Sequence, residues 1–270
     1  MKVYLNGRLV EATGAALDIA DRGFTLGDGL YETIAVRDAR PARLLAHLAR
    51  LRRGAGVIGL ALSETDAALE TALGDVVKAN DIMEGVLRLT LTRGPAPRGL
   101  MPPDRPTPTL VIVGRAQALG ERPPARAVVA LGTRRNELSP LSGIKTTNCL
   151  DAILALQEAA ARGADEALLL NTKGNLAEAA AANLFLVIGG RALTPPVADG
   201  ALAGVMRADL LGALGGAERT LAPADIGKAS EAFLTSSLGV RALVAVDGNA
   251  VGDGRPGPVC KKGQEIAWTA

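Results

Sequence analysis

The N-terminal half of the chain carries patterns that predict a β-sheet. Val86–Thr92 alternates apolar and polar residues with period two, as a half-buried strand does. Lys2–Val10 alternates around the Asn6-Gly7 pair, which favours a two-residue hairpin turn. Leu30–Val36 and Thr109–Val113 are predicted as two further strands.

Two helices and two loops are predicted between these strands. Leu44–Arg53 predicts a helix, and a second helix is expected to start at a Ser63 N-cap and to run to about Ala79. Asp21–Gly29 is predicted as a glycine-bearing loop. Arg93–Pro108 is rich in Gly and Pro and is predicted as a second loop.

The second half of the chain alternates predicted strands and helices. The strands are expected at Ala127–Leu131, Glu166–Leu170, Asn183–Ile188, Glu231–Thr235 and Arg241–Val246. The helices are expected at Leu150–Arg162 and Val205–Leu214. The polar, proline-bearing stretch 116–124 is predicted to link an N-terminal domain, 1–115, to a C-terminal domain, 125–270.

Composition excludes several classes of protein. Of the 270 residues, 48% are hydrophobic and 21% are charged, which indicates a sizeable core rather than disorder. A net charge of +2 with scattered arginines does not favour nucleic-acid or membrane binding. Two cysteines do not make a disulfide scaffold, and no apolar run is long enough to span a membrane. We therefore expect a cytoplasmic globular protein, and we predict no metal site.

One glycine pattern is a false signal. Gly54, Gly56 and Gly59 match the spacing of a dinucleotide fingerprint. That fingerprint needs a strand before it and a helix opening on it, whereas a predicted helix precedes these glycines. The pattern does not predict a dinucleotide site.

Lys145 and Glu178 have residue types and settings that favour cofactor chemistry. Lys145 stands in Ser142–Asn148 just before a predicted helix, and Glu178 stands just before the predicted strand at Asn183. A lysine amine can form a Schiff base with an aldehyde cofactor, and a carboxylate can keep a pyridine nitrogen protonated. On residue type alone, a surface lysine and a solvated glutamate are the ordinary alternatives.

Five motifs in order along the chain resemble the fold-type IV enzymes that use pyridoxal 5′-phosphate (PLP), the class IV aminotransferases. The resemblance runs from Asp21 to Val259, and its motifs are Asp21–Glu32, His47–Leu51, the Lys145 segment, Glu178 with Asn183–Phe185, and Leu202–Arg207 with Thr235–Ser237. The family includes D-amino-acid and branched-chain aminotransferases and aminodeoxychorismate lyases. The resemblance implies an α/β (α+β) fold with a small N-terminal α/β domain and a larger C-terminal pseudo-barrel domain, PLP between them, and a homodimer.

The resemblance also implies the catalytic roles. Lys145 would bind PLP as a Schiff base and then move the proton, because an amine can act as base and acid in turn. Glu178 would hold the pyridine nitrogen. Tyr31 would lie close to the lysine and the substrate, with a core tyrosine as the alternative.

The phosphate group has its own implied ligands. Arg50 would bind it through a planar guanidinium, with His47 on the same helix face in a structural role. The backbone amides of Val205 and Met206 would face it at a helix N-terminus. Ser237, with Ser236 beside it, would supply a hydroxyl. Ala179–Ala182 stands where the family usually has small hydroxyl residues.

The resemblance does not single out one reaction or one substrate. Arg98 matches an arginine that holds the substrate carboxylate in D-amino-acid aminotransferases, but Leu100 stands where their histidine would be. A solvated loop residue is the alternative for Arg98. The leading expectation is transfer of an amino group from an α-amino acid to a 2-oxo acid, with the Arg98 loop reaching across a dimer interface. Aminodeoxychorismate lyase, which makes 4-aminobenzoate and pyruvate, is the alternative, and a non-catalytic PLP-binding protein is the third.

Overall fold

A computed structural model describes residues 1–269, which divide into two compact units. Unit 1 comprises Met1–Leu119 together with Ile144–Asn148. Unit 2 comprises Gly120–Gly143 and the chain from Cys149 onward. The five-residue segment that carries Lys145 therefore belongs to unit 1, although it lies in the second half of the sequence. The predicted domain limits at residues 115 and 125 stay a proposal.

Unit 1 is built on an antiparallel sheet of six strands. They are β1 (Lys2–Leu5), β2 (Arg8–Glu11), β3 (Gly29–Arg37), β4 (Arg40–Pro41), β5 (Gly85–Thr92) and β6 (Thr109–Ala116). Their order across the sheet is β2-β1-β6-β5-β3-β4, so β3 and β5 lie side by side. Tyr31 pairs with Thr90 in that register. The predicted hairpin and the predicted strands of this half are confirmed.

Three helices accompany this sheet, and two of them bury one of its faces. The helices are α1 (Arg22–Leu26), α2 (Leu44–Val57) and α3 (Asp66–Ala79). Alternate strand residues such as Leu30, Ile34 and Leu89 form one buried cluster with Leu48 of α2 and Leu73 of α3. Because side chains alternate along a strand, Tyr31 and Glu32 point to opposite faces, with Glu32 on the helix side.

Unit 2 contains a mixed sheet of nine strands. They are β7 (Ala125–Val129), β8 (Glu166–Leu170), β9 (Leu176–Ala179), β10 (Asn183–Ile188), β11 (Arg191–Thr194), β12 (Ala217–Glu218), β13 (Glu231–Ser236), β14 (Gly239–Val246) and β15 (Asn249–Ala250). The order is β12-β11-β10-β13-β14-β7-β8-β9, with β15 paired to β14. The five strands predicted in this half are confirmed to within two residues at each end.

Three helices cover parts of the unit 2 sheet. They are α4 (Leu150–Ala161), α5 (Val205–Ala213) and α6 (Pro258–Thr269). Met206 and Leu210 of α5 form a buried cluster with Phe185 and Phe233, whose rings stack 5.0 Å apart. No helix within residues 1–269 has both the length and the apolar character needed to cross a bilayer.

Several expectations about local structure are wrong. The N-cap of α3 is Thr65, whose hydroxyl accepts a hydrogen bond from the Ala68 amide, and not Ser63. The expected loop at Asp21–Gly29 contains α1, because the Asp21 side chain caps it. Helix α6 was not predicted at all.

Candidate active site

The Lys145 segment is held by the backbone of β3. The Tyr31 amide donates to the Lys145 carbonyl over 2.9 Å, and the Thr147 amide donates to the Gly29 carbonyl over 3.0 Å. The Thr147 hydroxyl donates to the Gly27 carbonyl over 2.8 Å. These bonds act as a short extra strand pairing that fixes the backbone on both sides of Lys145.

The Lys145 amine lies over the ring of Tyr31. The Nζ atom is 4.4 Å from the ring centroid. The guanidinium carbon of Arg88 on β5 lies 3.3 Å from the same centroid. An aromatic face attracts cations through its quadrupole, so Tyr31 orients both side chains. The structure therefore brings two of the predicted site residues, Lys145 and Tyr31, together in unit 1, and it adds Arg88, which sequence reasoning missed.

Arg50 belongs to a buried ionic cluster on the helix side of the same sheet. Its Nε and Nη2 atoms donate to the two carboxylate oxygens of Glu32 over 2.9 and 2.5 Å. The Nδ1 atom of His47 lies 2.7 Å from the same carboxylate. Burial disfavours the charged carboxylate, but the hydrogen bonds from Arg50 and His47 outweigh it and lower the pKa of Glu32. The pair fixes the plane of the Arg50 guanidinium.

Glu178 lies on β9 of unit 2 and is held from both of its oxygens. Oε2 accepts from the Asn183 side chain over 3.2 Å and from the Leu202 amide over 2.9 Å. Oε1 lies 3.1 Å from Nε of Arg135. Arg135 is in turn anchored to the carbonyls of Gly200 and Ser142. This shell fixes the orientation of a largely buried carboxylate.

The N-terminus of α5 carries backbone amides that suit an anion. Gly204 is the N-cap and no side chain caps the helix, so the amides of Val205 and Met206 have no partner within the helix. A Cβ atom on Gly204 would lie 1.9 Å from Oδ1 of Asn183, so the close approach of these two chains needs glycine. The helix dipole adds to the attraction for negative charge.

Three consecutive hydroxyl residues lie at the end of β13 and directly after it, and they differ in burial. Ser236 and Ser237 are half-buried, and the Ser236 hydroxyl accepts from the Leu238 amide. Thr235 is buried, and its hydroxyl has no hydrogen-bond partner within residues 1–269. Thr235 pairs with Asn183 across the sheet, and strand alternation places it on the face that Phe233 shares with α5. Thr235 is therefore a further hydroxyl candidate, and Ser236 and Ser237 stay predictions.

The remaining predicted residue, Arg98, lies exposed in the loop between β5 and β6. It belongs to unit 1, as do Tyr31, Arg50 and Lys145, whereas the other predicted site residues belong to unit 2. Among residues 1–269 there is no group of three His, Cys, Asp or Glu side chains that could bind a metal ion.

Sequence comparison places these residues in a known context. The family model of class IV aminotransferases matches residues 29–246. The D-alanine aminotransferase of Bacillus licheniformis is 32% identical over 270 residues, covering 98% of this chain and 95% of that protein.

Comparison with solved structures extends the likeness to the fold. The branched-chain amino acid aminotransferase of Escherichia coli superposes with a TM-score of 0.91 at 27% identity, covering 98% of this chain and 92% of that one. The 4-amino-4-deoxychorismate lyase of Pseudomonas aeruginosa gives 0.82 at 32% identity, covering 97% of each chain. The predicted fold-type IV α/β class is confirmed, and the chain belongs to the class IV aminotransferase family.

Proposed function

We propose that this protein is a PLP-dependent aminotransferase that transfers the amino group of an α-amino acid, of the D-amino-acid or branched-chain type, to a 2-oxo acid. The observation that carries the proposal is the Lys145 amine, held 4.4 Å from the centre of the Tyr31 ring in a chain of this family. Class IV aminotransferases use PLP.

The polar groups of the two units match the chemical groups of PLP. The Lys145 amine suits the aldehyde of PLP. The Glu178 carboxylate, which is oriented by its neighbours, suits the ring nitrogen. For its phosphate there are the uncapped start of α5 and the buried Thr235 hydroxyl, which otherwise lacks a partner within residues 1–269. Arg50 would add a planar cation. When bound, PLP supplies an electron sink for the charge that develops at the substrate Cα.

Lys145 has two roles in this proposal. When PLP is bound, this Nζ atom would hold it covalently through its aldehyde before the substrate arrives. Once the substrate has displaced it, the free amine would act as the base at the substrate Cα and then as the acid that gives the proton back. Tyr31 keeps the amine at one side of its ring and so limits where that proton can go.

Glu178 serves as the partner of the ring nitrogen, and its neighbours keep it in place. Asn183 and the Leu202 amide hold one oxygen while Arg135 holds the other. A fixed carboxylate needs no reorganisation when charge develops during the reaction. Arg135 and Asn183 are therefore positioning residues in the proposed site.

The substrate side rests on Arg98 and on a second copy of the chain. We propose that Arg98 pairs with the substrate carboxylate and that the active form is a homodimer, the usual assembly of the family. Sedimentation across a dilution series tests this directly. A monomer with full activity per chain would contradict it. A cytoplasmic location also remains a prediction.

A second candidate function is aminodeoxychorismate lyase, which releases 4-aminobenzoate and pyruvate. Two observations favour it: the likeness to the Pseudomonas aeruginosa lyase, and Leu100 at the position where D-amino-acid aminotransferases have histidine. Lys145 would serve either reaction, because both begin at the same amine.

The deciding experiment follows the absorption spectrum of the PLP-loaded protein while single D- and L-amino acids are added. For an aminotransferase we expect the band of the lysine-bound cofactor to convert to that of pyridoxamine phosphate, and the responding amino acids define the specificity. Conversion only of aminodeoxychorismate would identify the lyase. A bound cofactor with neither reaction would leave the non-catalytic binder.

Two matched lysine variants attribute the result to the right residue. Lys145→Ala should lose the band of the lysine-bound cofactor and all turnover. Lys173→Ala, in the exposed turn before β9, should behave as the parent protein. Unchanged turnover in Lys145→Ala would contradict the proposal.

A further inference from the structure

The loop that carries Arg98 is anchored at its stem but has an apolar, exposed tip. At the stem, the Arg22 amide donates to the Gly94 carbonyl over 2.9 Å, and the Ala96 amide donates to the Ala20 carbonyl over 3.3 Å. At the tip, Leu100 and Met101 are 82% and 84% exposed. Side-chain packing within unit 1 therefore does not hold the tip in place.

The side chain of Arg22 holds that tip instead. Arg22 is buried at the start of α1, and its Nη1 atom donates to the carbonyls of Gly99 (2.9 Å) and Met101 (3.3 Å). Its Nη2 atom donates to the Leu100 carbonyl over 2.7 Å. Three consecutive carbonyls thus converge on one guanidinium, directly after Arg98. Together with Asp28 they give Arg22 four acceptors, which the five N–H donors of arginine can serve and the three of a lysine cannot.

Asp28 and Arg93 fix Arg22 from behind. Nε of Arg22 donates to Oδ2 of Asp28 over 2.8 Å, and Nε of Arg93 donates to the same oxygen over 2.7 Å. Arg93 is itself bound to the carbonyls of Ile58 and Gly59 at the end of α2. The chain of contacts therefore connects the loop tip to the helix layer of unit 1.

We propose that Arg22 is a positioning residue that sets the place of Arg98 at the substrate carboxylate. This inference rests on the proposed function. Arg22 acts through the backbone of residues 99–101, so it influences how well the amino acid binds rather than the chemistry at Lys145. Misplacing a charged group by about 1 Å is enough to lower catalytic efficiency by one to two orders of magnitude.

The test is a double-mutant cycle between Arg22 and Arg98. Arg22→Lys keeps the charge beside Asp28 but has three donors for the four acceptors that Arg22 serves. We expect it to raise KM for the amino acid about tenfold or more, with a smaller change in kcat and unchanged affinity for PLP. Arg98→Ala should raise KM at least as much. The double variant should be no worse than Arg98→Ala alone, because Arg22 acts through Arg98.

Arg52→Lys is the matched control. Arg52 also donates to one carboxylate and to backbone carbonyls, namely Asp66 and the carbonyls of Leu62 and Glu64. It holds a different loop of unit 1. We expect Arg52→Lys to leave KM unchanged. Additive effects of Arg22→Lys and Arg98→Ala, or an equal rise in KM in the control, would overturn the proposal.

Two further measurements apply if Arg22→Lys folds poorly or shows no activity. Gly99→Ala changes an exposed residue with φ of +148°, so it shifts a held carbonyl without touching the core, and it should raise KM in the same way. Trypsin should cut after Arg98 several-fold faster in Arg22→Lys than in the parent protein. Unchanged KM in Gly99→Ala together with unchanged cleavage would overturn the proposal. An inactive parent protein would instead reject the proposed function.

Discussion

Each unit contains a pair formed by an arginine and a carboxylate. In unit 1 the arginine is the candidate cofactor ligand, whereas in unit 2 it is the carboxylate. In unit 1 Arg50 is the candidate cofactor ligand, and Glu32 holds it. In unit 2 Glu178 is the candidate ligand, and Arg135 holds it. The side chains of Arg50 and Glu32 are 5% and 0% exposed, whereas those of Arg135 and Glu178 are 24% and 11% exposed.

This difference indicates how each pair behaves when it is broken. Removing one charge of a fully buried pair leaves the other without solvent, and the fold loses several kcal/mol. Arg135 is partly exposed, so water can replace part of its interactions when it is removed. Its loss should therefore affect mainly the group that it orients. The unit 1 pair should therefore govern stability, and the unit 2 pair should govern cofactor binding.

Breaking the unit 1 pair should have the largest effect. Glu32→Gln removes the charge that faces both Arg50 and His47, and we expect the free energy of unfolding to fall by about 3 kcal/mol. Chemical denaturation measures this change. Glu70→Gln, at an exposed position of α3, should change it by less than about 0.5 kcal/mol. Similar small changes in both variants would refute the ranking.

Breaking the unit 2 pair should act on the cofactor. Arg135→Gln removes the guanidinium that contacts Oε1 of Glu178, and we expect the affinity for PLP to fall about tenfold with a stability loss of about 1 kcal/mol. Arg134→Gln is the control, because that guanidinium donates to the carbonyls of Ala130, Leu131 and Thr133, and within residues 1–269 it has no bond to Glu178. Equal PLP affinity in the two variants would count against the role of Arg135.

The contribution of the buried Glu32 pair to stability should depend on pH. The pKa of Glu32 lies below its ordinary value of 4.5, since the bonds from Arg50 and His47 overcome burial. Its stabilisation is therefore full above pH 4.5 and is lost as pH falls through the lowered pKa. Unfolding measured at a series of pH values should show the parent protein converging on Glu32→Gln in acid. A constant gap at every pH would rule this mechanism out.

A third carboxylate, Glu166 on β8, should give the smallest effect. Burial raises the pKa of Glu166 above its ordinary value of 4.5, in spite of hydrogen bonds from the backbone. A raised pKa means that the charged form destabilises the fold as pH rises above 4.5. Glu166→Gln should therefore stabilise the protein at pH 7 by less than about 1 kcal/mol, and the gain should vanish below pH 4. A loss of stability at pH 7 would show that the charge is needed.

The elements that could be predicted are those whose sequence signal lies within a few neighbouring residues. The hairpin at Asn6-Gly7 and the strands β5 and β10 follow from turn chemistry and from apolar spacing within a few residues. Lys145 and Glu178 stay predictions, and they follow from residue type and setting together with the resemblance of five motifs to the family.

The missed features depend on contacts between distant positions. Helix α6 starts with its amides bound to Glu231 on β13, as Val259 and Cys260 both donate to that carboxylate. Glu231 lies far from α6 in the sequence, so no local capping signal exists. Arg135 and Thr235 were missed for the same reason. Their neighbours in the fold are distant in the sequence, and strand pairing and loop conformation bring them together.

The proposed active site depends on Lys145 as the residue that binds PLP. The most direct measurement is borohydride reduction of the PLP-loaded protein, followed by digestion and mass mapping of the modified peptide. We expect the cofactor mass on Lys145 alone. The label on another lysine, such as Lys173 or Lys261, or no label at all, would contradict the assignment of the active site.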